Sequence, residues 1–330
     1  MSSIGILLLK AARKIMIGGR RHLNEERPLP LDFQGQPAND LIREKLSGPD
    51  PCMISRIGQT EFWLLLRHWN QRNKSRLRNI YDYVSGRQEA FWFDDKIKFA
   101  MRYSSGFFPC TDEALSRFAD LFLRDLTQTD VLGSWLNGEA KLGRYLVQAK
   151  TVRLADLGPF GRRDPWTTAL RGRTVLVIHP FAASIRKQYE KREVLFDDPH
   201  ILPGFTLKTL KAVQSLGDNA TGFETWFDAL DWMCTQVREI EFDVALIGAG
   251  AYGLPLAAYV KRLGKKAVHL GGVTQLMFGI WGKRWDQWPG CRKLYNEHWV
   301  RPLPEETPAF VRTGDTAPAE AEGQPTRAYW

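Results

Sequence analysis

Cysteine is scarce in this chain of 330 residues. Its four cysteines, Cys52, Cys110, Cys234 and Cys291, are far apart with no C-x-x-C pair. That excludes a disulfide framework and a zinc site built on cysteine, and it suits a reducing cytoplasm. Long apolar runs are also missing. The N-terminal run from Ile4 to Leu9 is far short of the about 20 apolar residues a membrane-spanning helix needs. No secretory signal is legible, because the positive charges follow that run and no A-x-A-like site comes after it. There is no internal repeat. Acid is in deficit: 37 Asp and Glu against 46 Lys and Arg leave a net charge of +9 and a pI near 9.4. The balance favours anionic partners such as phosphorylated small molecules or acidic lipid. The charge is scattered and no recognised module accompanies it, so nucleic acid is not an expected partner.

A hydrophobic content of 44% with 25% charged residues is that of a globular protein. Residues 1–37 read as a basic segment followed by a proline-containing linker, Pro28 to Pro37. Residues 1–22 interleave Lys10, Arg13, Lys14, Arg20 and Arg21 with apolar positions. This pattern is either an amphipathic helix on an anionic bilayer or a helix docked on the protein's own body. The expected location is therefore cytoplasmic, with the inner face of the plasma membrane as the place of peripheral contact. Residues 38–305 read as one α/β domain, helical from about 75 to 150, and 306–330 as a disordered tail rich in Pro, Ala, Gly and Glu.

Strands are predicted at "PCMISRIG" (51–58), "GRTVLVIHPF" (172–181), "DVALIGAG" (243–250) and "KAVHLGG" (266–272). "FTLKTLKAVQSL" (205–216) is a further candidate strand, although its apolar spacing is ambiguous. Helices are expected at "QTEFWLLLRHW", "AASIRKQYEKREVLF", "FETWFDALDWMCTQVREIEF" and "LPLAAYVKRLG". From about residue 172 the order alternates βαβα. This predicts a Rossmann-like, mostly parallel sheet flanked by helices, with a helical insertion in the N-terminal half and a ligand beyond the strands' carboxyl ends.

One absence decides between cofactors. Gly248-Ala249-Gly250-Ala251-Tyr252-Gly253 spells G-x-G-x-x-G between a strand and a helix, the setting of a dinucleotide-binding turn. Such a site needs an acid about 20 residues on, at the end of the next strand, for the adenosine ribose. Here that strand ends His269-Leu270-Gly271-Gly272, and no Asp or Glu stands between Gly253 and Gly272. No NAD is expected. The glycines keep two readings: backbone N–H groups aimed at an anion, or a turn that lets a helix pack on a strand.

A second strand end carries side chains. "ISRIGQTEFWLL" brings Arg56, Gly58, Gln59, Thr60 and Glu61 into one strand-to-helix turn. Arginine there suits phosphate oxygens. Glu61 either complements the helix dipole or joins substrate oxygens in holding Mg²⁺ or Mn²⁺.

"SRIGQTE" resembles the R-x-G-D-G-E signature of GT-D-type glycosyltransferases, and "ALIGAGAYGLPLAAYVKRLGKKAVHLGG" resembles their strand-glycine-helix-strand unit. "VIHPFAASIRKQY", "LKTLKAVQSL" and "HLGGVTQLMFGIWGKRW" are similar to segments found in bacterial proteins of surface-polysaccharide synthesis. The resemblance spans about residues 50–300 and marks the chain as a divergent member of that group. It implies a nucleotide-sugar donor, a glycan or lipid-linked acceptor, hexosyl transfer and a divalent metal. Glu61 matches the second acid of the family's D-x-E, whereas Gln59 stands where the first Asp belongs. A metal on Glu61 would thus be held weakly or replaced by basic residues.

Further donor-site candidates follow from strand ends and turns: His179, Gly248, Gly250, Tyr252, Gly253, Gly271, Gly272, Thr274, Gln275, Lys283 and Arg284. Arg186 and Lys187 are either a solvated helix face or phosphate contacts. Trp135 suits sugar stacking, and Glu139 is the candidate general base. Two other functions stay open: an NAD(P)-dependent oxidoreductase, and a non-catalytic nucleotide- or glycan-binding protein.

Overall fold

The computed structural model describes residues 3–18, 28–216, 221–286, 288–308 and 330. In chain order the elements begin with helices α1 (Ser3–Ile17) and α2 (Gln36–Ser47), strand β1 (Cys52–Arg56), and helices α3 (Gln59–Asn73), α4 (Arg76–Val84), α5 (Asp95–Tyr103) and α6 (Asp112–Leu126). Strands β2 (Val131–Ser134), β3 (Lys150–Arg153) and β4 (Thr174–His179) follow, then α7 (Ala182–Tyr189), β5 (Thr206–Lys211) and α8 (Trp226–Arg238). The chain continues through β6 (Val244–Ile247), α9 (Gly253–Arg262), β7 (Lys266–His269) and α10 (Val273–Met277).

The seven strands form one sheet in the order β3-β2-β1-β7-β6-β4-β5, and every pairing is parallel. This is an α/β, Rossmann-like fold. The central strands β4 and β6 are apolar on both faces because both are covered. Leu176, Ile178, Ala245 and Ile247 face one core, and Val175, Val177, Val244 and Leu246 the other. Right-handed crossovers sort the helices. Connections after β1, β2, β5 and β6 travel one way across the sheet, and α3, α6, α8 and α9 lie on the first face with Phe62, Phe118, Trp226 and Leu254. Those after β3 and β4 travel the other way, so the segment through Trp166 and Leu170 and helix α7 cover the second face, where α2, ahead of β1, and the segment through Phe278 and Trp299, after β7, also pack.

Several expectations change. The stretch 75–150 is not continuously helical: β2 crosses it, and "NGEAKLGRYLVQ" forms a 3₁₀ segment, Glu139–Tyr145. Both β2 and β3 are four-residue strands, too short for a periodic signal. The stretch "FTLKTLKAVQSL" contains β5, an edge strand whose exposed Lys208 and Lys211 suit an uncovered edge. The helix expected at 182–196 stops at Tyr189. Residues 28–37 are not a loose linker. Asp32 accepts hydrogen bonds from the Thr151 backbone (2.7 Å) and hydroxyl (2.9 Å), and Phe33 bridges to Val152. Pro37, read as part of that linker, lies in the first turn of α2, where a missing N–H costs nothing. The tail boundary at 305 also moves. Glu306 is buried, and its carboxylate accepts from the backbone N–H of Ala183 (2.6 Å) and Ser184 (3.1 Å), which caps α7. Trp330 packs edge-on against Phe181 with ring centroids 5.7 Å apart. The rest of the expected tail, 309–329, and residues 1–2 and 19–27 of the basic segment and linker lie outside the described residues.

Candidate functional site

The connections from β1 and β6 leave toward one face of the sheet, and those from β7 and β4 toward the other. Strand ends that part in this way leave a crevice at their carboxyl side. A cavity of about 400 Å³ opens there, within the range of small-molecule sites. Its wall contains Arg56, Gly58, Gln59, Thr60 and Glu61 after β1, and Trp135 after β2. It continues through His179 after β4, Gly248, Gly250 and Tyr252 after β6, and Gly271, Gly272, Gln275 and Arg284 after β7. Predicted residues from two halves of the sequence thus meet in one space.

The glycine turn is built by close contacts. A Cβ on Gly248 would lie 2.5 Å from the His179 ring, 2.7 Å from the Gly271 carbonyl and 2.9 Å from Thr274. One on Gly253 would overlap the His269 ring. These two glycines exist for packing, and Gly253 is not on the cavity wall. Gly250 differs. It has φ of +54°, a left-handed conformation that disfavours side chains, and it borders the cavity with its nearest foreign atom 3.8 Å from a built Cβ.

α4, α5, α6 and α8 have side-chain caps from Ser75, Asp94, Thr111 and Thr225. α3 and α9, which start at the cavity, have no side-chain cap hydrogen bond. α9 also has no acid in its first turn. The Gly253 N–H is taken by the Gly250 carbonyl, so it is the positive dipole end of α9 that meets the cavity rim, a setting for an anion.

Arg56 leans across the strand ends. Its guanidinium lies 5.2 Å from the Trp135 ring centroid, and Nη2 donates to the Ile57 carbonyl at 3.0 Å. Nη1 is 3.1 Å from where a Gly271 side chain would begin, so the glycine, at φ +59°, makes room for it. Trp135 is fixed by its own Nε1–H donating to the same carbonyl at 3.0 Å. The corner at the end of β7 where a dinucleotide site needs an acid is thus occupied by a cation and by buried His269.

Two histidines on the wall are neutral. Burial lowers the pKa of His179 to about 3, and burial with the nearby Arg56 charge lowers His269 to about 3. His179 Nδ1 accepts from the Phe181 backbone N–H at 3.0 Å, so its proton resides on Nε2, a neutral donor. Tyr252 stacks on Trp226 with centroids 4.7 Å apart and shares a 3.0 Å hydrogen bond with Ser215, which donates to the Gly106 carbonyl at 2.6 Å. This chain ties the glycine turn to the loops after α5 and β5. Those loops, Tyr103–Gly106 and Val213–Leu216, line the cavity; no motif marks the first, and the second ends the segment "LKTLKAVQSL", in which no site residue was predicted. Phe181, His269 and Trp330 were missed as well.

Four predicted residues are not on the wall: Gly253, Thr274, Lys283 and Glu139. Thr274 is buried beside Gly248, and the Lys283 backbone binds the Trp330 carbonyl at 3.2 Å. Arg186 turns to Thr209, at 2.6 Å. Glu139 is fully buried, and burial raises its pKa. Its carboxylate accepts from the Ser134 hydroxyl and the Trp135 backbone. A base has to reach its proton, so the expected role of Glu139 gives way to one of holding the Trp135 loop. Glu61 is the one carboxylate among the wall residues. It curls back over Gly58, where a side chain would collide with it.

Among the described residues no group of three or more His, Cys, Asp and Glu could hold a metal ion. One carboxylate beside the neutral Gln59 does not fit a resident divalent cation, which prefers charged oxygen ligands. Among the described helices none is long and apolar enough to cross a membrane. Searches against family models, curated proteins and solved structures give no match.

Proposed function

We propose that this chain is a glycosyltransferase that moves a sugar from a nucleotide-sugar donor to an acceptor hydroxyl in the synthesis of a surface polysaccharide or other glycan. The observation that carries the reading is the pairing of an uncapped, acid-free α9 N-terminus with Arg56 and Arg284 on one cavity wall. The positive end of a helix and two guanidinium groups suit a diphosphate. Glu61 would repel one, so the diphosphate belongs at the β6 turn and the acceptor nearer the β1 turn.

In this reading the acceptor oxygen attacks the anomeric carbon. The bond from that carbon to the diphosphate oxygen breaks, and Glu61 takes the acceptor's proton. Negative charge grows on the leaving diphosphate, where the positive end of α9, Arg56 and Arg284 stabilise it. Neutral His179 donates a hydrogen bond from Nε2. No step runs through a metal, because the wall lacks the acids to hold one.

A non-catalytic nucleotide- or glycan-binding protein is the second reading, favoured by Gln59 in place of an acid. Both readings are tested by thermal unfolding with a panel of nucleotide sugars, NAD and NADP, with and without Mn²⁺. A ligand at a hundredfold excess over its Kd adds about 2.7 kcal/mol. Nucleotide sugars should stabilise the protein, with or without Mn²⁺. A saturable shift with NAD(P) alone would overturn the proposal. Release of nucleoside diphosphate with a glycan acceptor separates the enzyme from the binding protein.

A further inference from the structure

The docked and bilayer-facing readings of the N-terminal helix describe two faces of the same element. On one face, Ile6 and Leu9 of α1 pack against Tyr83, Ala90, Phe91 and Trp92. Arg13 fastens this face: its Nη1 donates to the carbonyls of Tyr83 (2.8 Å) and Gln88 (2.6 Å), and its guanidinium lies 4.6 Å from the Tyr83 ring centroid. On the other face Ile4, Leu8 and Ile15, at 71%, 67% and 84% exposure, form one stripe at four- and seven-residue spacing. On α4, against which α1 packs, Leu77 is 79% and Tyr81 48% exposed. Large apolar side chains are thus held outward on two packed helices rather than scattered singly.

The border of this apolar surface is basic. α1 contributes exposed Lys10 and Lys14 and contains no acid. Arg78 and Arg87 stand over the Tyr81 ring, 5.9 and 5.0 Å from its centroid. Asp82 of α4 is buried and already paired with Lys74 and Arg78.

We propose that α1 and α4 together form a platform that lies on an anionic lipid bilayer. The apolar stripe enters the acyl boundary while the lysines and arginines meet lipid phosphates. Tyr81 has the apolar body and polar tip suited to the interface. A second copy of the chain is a poorer occupant, because a two-fold contact would set one basic border against another. This surface is separate from the cavity and does not depend on the donor reading.

Vesicle flotation of the full chain tests the platform. The protein should float with phosphatidylcholine vesicles containing phosphatidylglycerol, stay behind with phosphatidylcholine alone, and lose binding as salt rises. Ile15→Glu and Leu77→Glu should each weaken binding about tenfold or more, and Lys10→Ala about fivefold. Any nucleotide-sugar thermal shift should be the same in Leu77→Glu as in wild type, so a failed platform and a failed donor reading are told apart. Absence of wild-type binding to the anionic vesicles overturns the proposal. So does wild-type binding by Leu77→Glu, which removes α4 from the surface. A dimer that Ile15→Glu dissociates would assign the surface to a second copy instead.

Discussion

Two strand-to-helix turns meet in the cavity, and they use glycine in opposite ways. After β6, Gly248 and Gly253 are small because His179, the Gly271 carbonyl and His269 press against them, while Gly250 turns left-handed beside the cavity. That turn brings no charged side chain, only backbone. After β1, Gly58 is small because the chain's own Glu61 folds over it, and Arg56, Gln59 and Glu61 line the cavity with polar and charged side chains. A turn that opens a helix without an acid suits an anion. One that carries its own carboxylate does not, and in the proposed reaction that acid takes the acceptor's proton.

The sharpest way to break this contrast is within the β6 turn itself. Gly248→Val should cost about 3 kcal/mol or more and yield little folded protein, since its neighbours include backbone that cannot move aside. Gly250→Val should cost about 1–3 kcal/mol of strain, remain folded and lose nucleotide-sugar binding. Urea melts and the ligand thermal shift measure the two. If Gly250→Val bound donor as wild type does, the β6 turn would be no anion site.

The β1 turn is tested by Glu61→Gln, which keeps the shape. Loss of a general base lowers turnover about 10²- to 10⁴-fold, with the donor thermal shift retained. The helix-dipole role predicts instead a stability loss of about 0.3–1 kcal/mol and near-normal turnover. Arg56→Ala has a smaller effect on a different quantity. It should weaken donor binding by about 1.5–3 kcal/mol, seen by titration calorimetry, with less effect from the shorter reach of Arg56→Lys.

The last test concerns pH. His179 and His269 have folded pKa values near 3, below the usual 6.5. Groups lowered on folding contribute stability that is complete above about 6.5 and declines as pH falls toward 3. Unfolding near pH 5 should therefore take up protons at both histidines, and urea midpoints should fall below pH 6.5. Donor binding should show no histidine step between pH 8 and 6, because both rings stay neutral. A rise in affinity across that range as pH falls would mean a charged imidazole meets the phosphate.

The sequence by itself determined the strands with long or consecutive apolar runs, β1, β4, β6 and β7, and the α/β class. Such runs are legible because both faces of a parallel sheet are buried. It also determined the absence of a ribose acid after β7, which is a matter of reading residues in order. The tertiary structure alone decided the rest. β2, β3 and α2 are short or mostly polar, and only their neighbours make them regular. Glu139 and Glu61 are both acids after strand ends, yet one is sealed behind Trp135 and the other reaches the cavity. That difference depends on which loops close over each side chain. The loops at Tyr103–Gly106 and Val213–Leu216 are more than a hundred residues apart and join through Ser215. No local pattern could pair them, because a cavity wall is made by crossovers that bring distant strand ends to one edge.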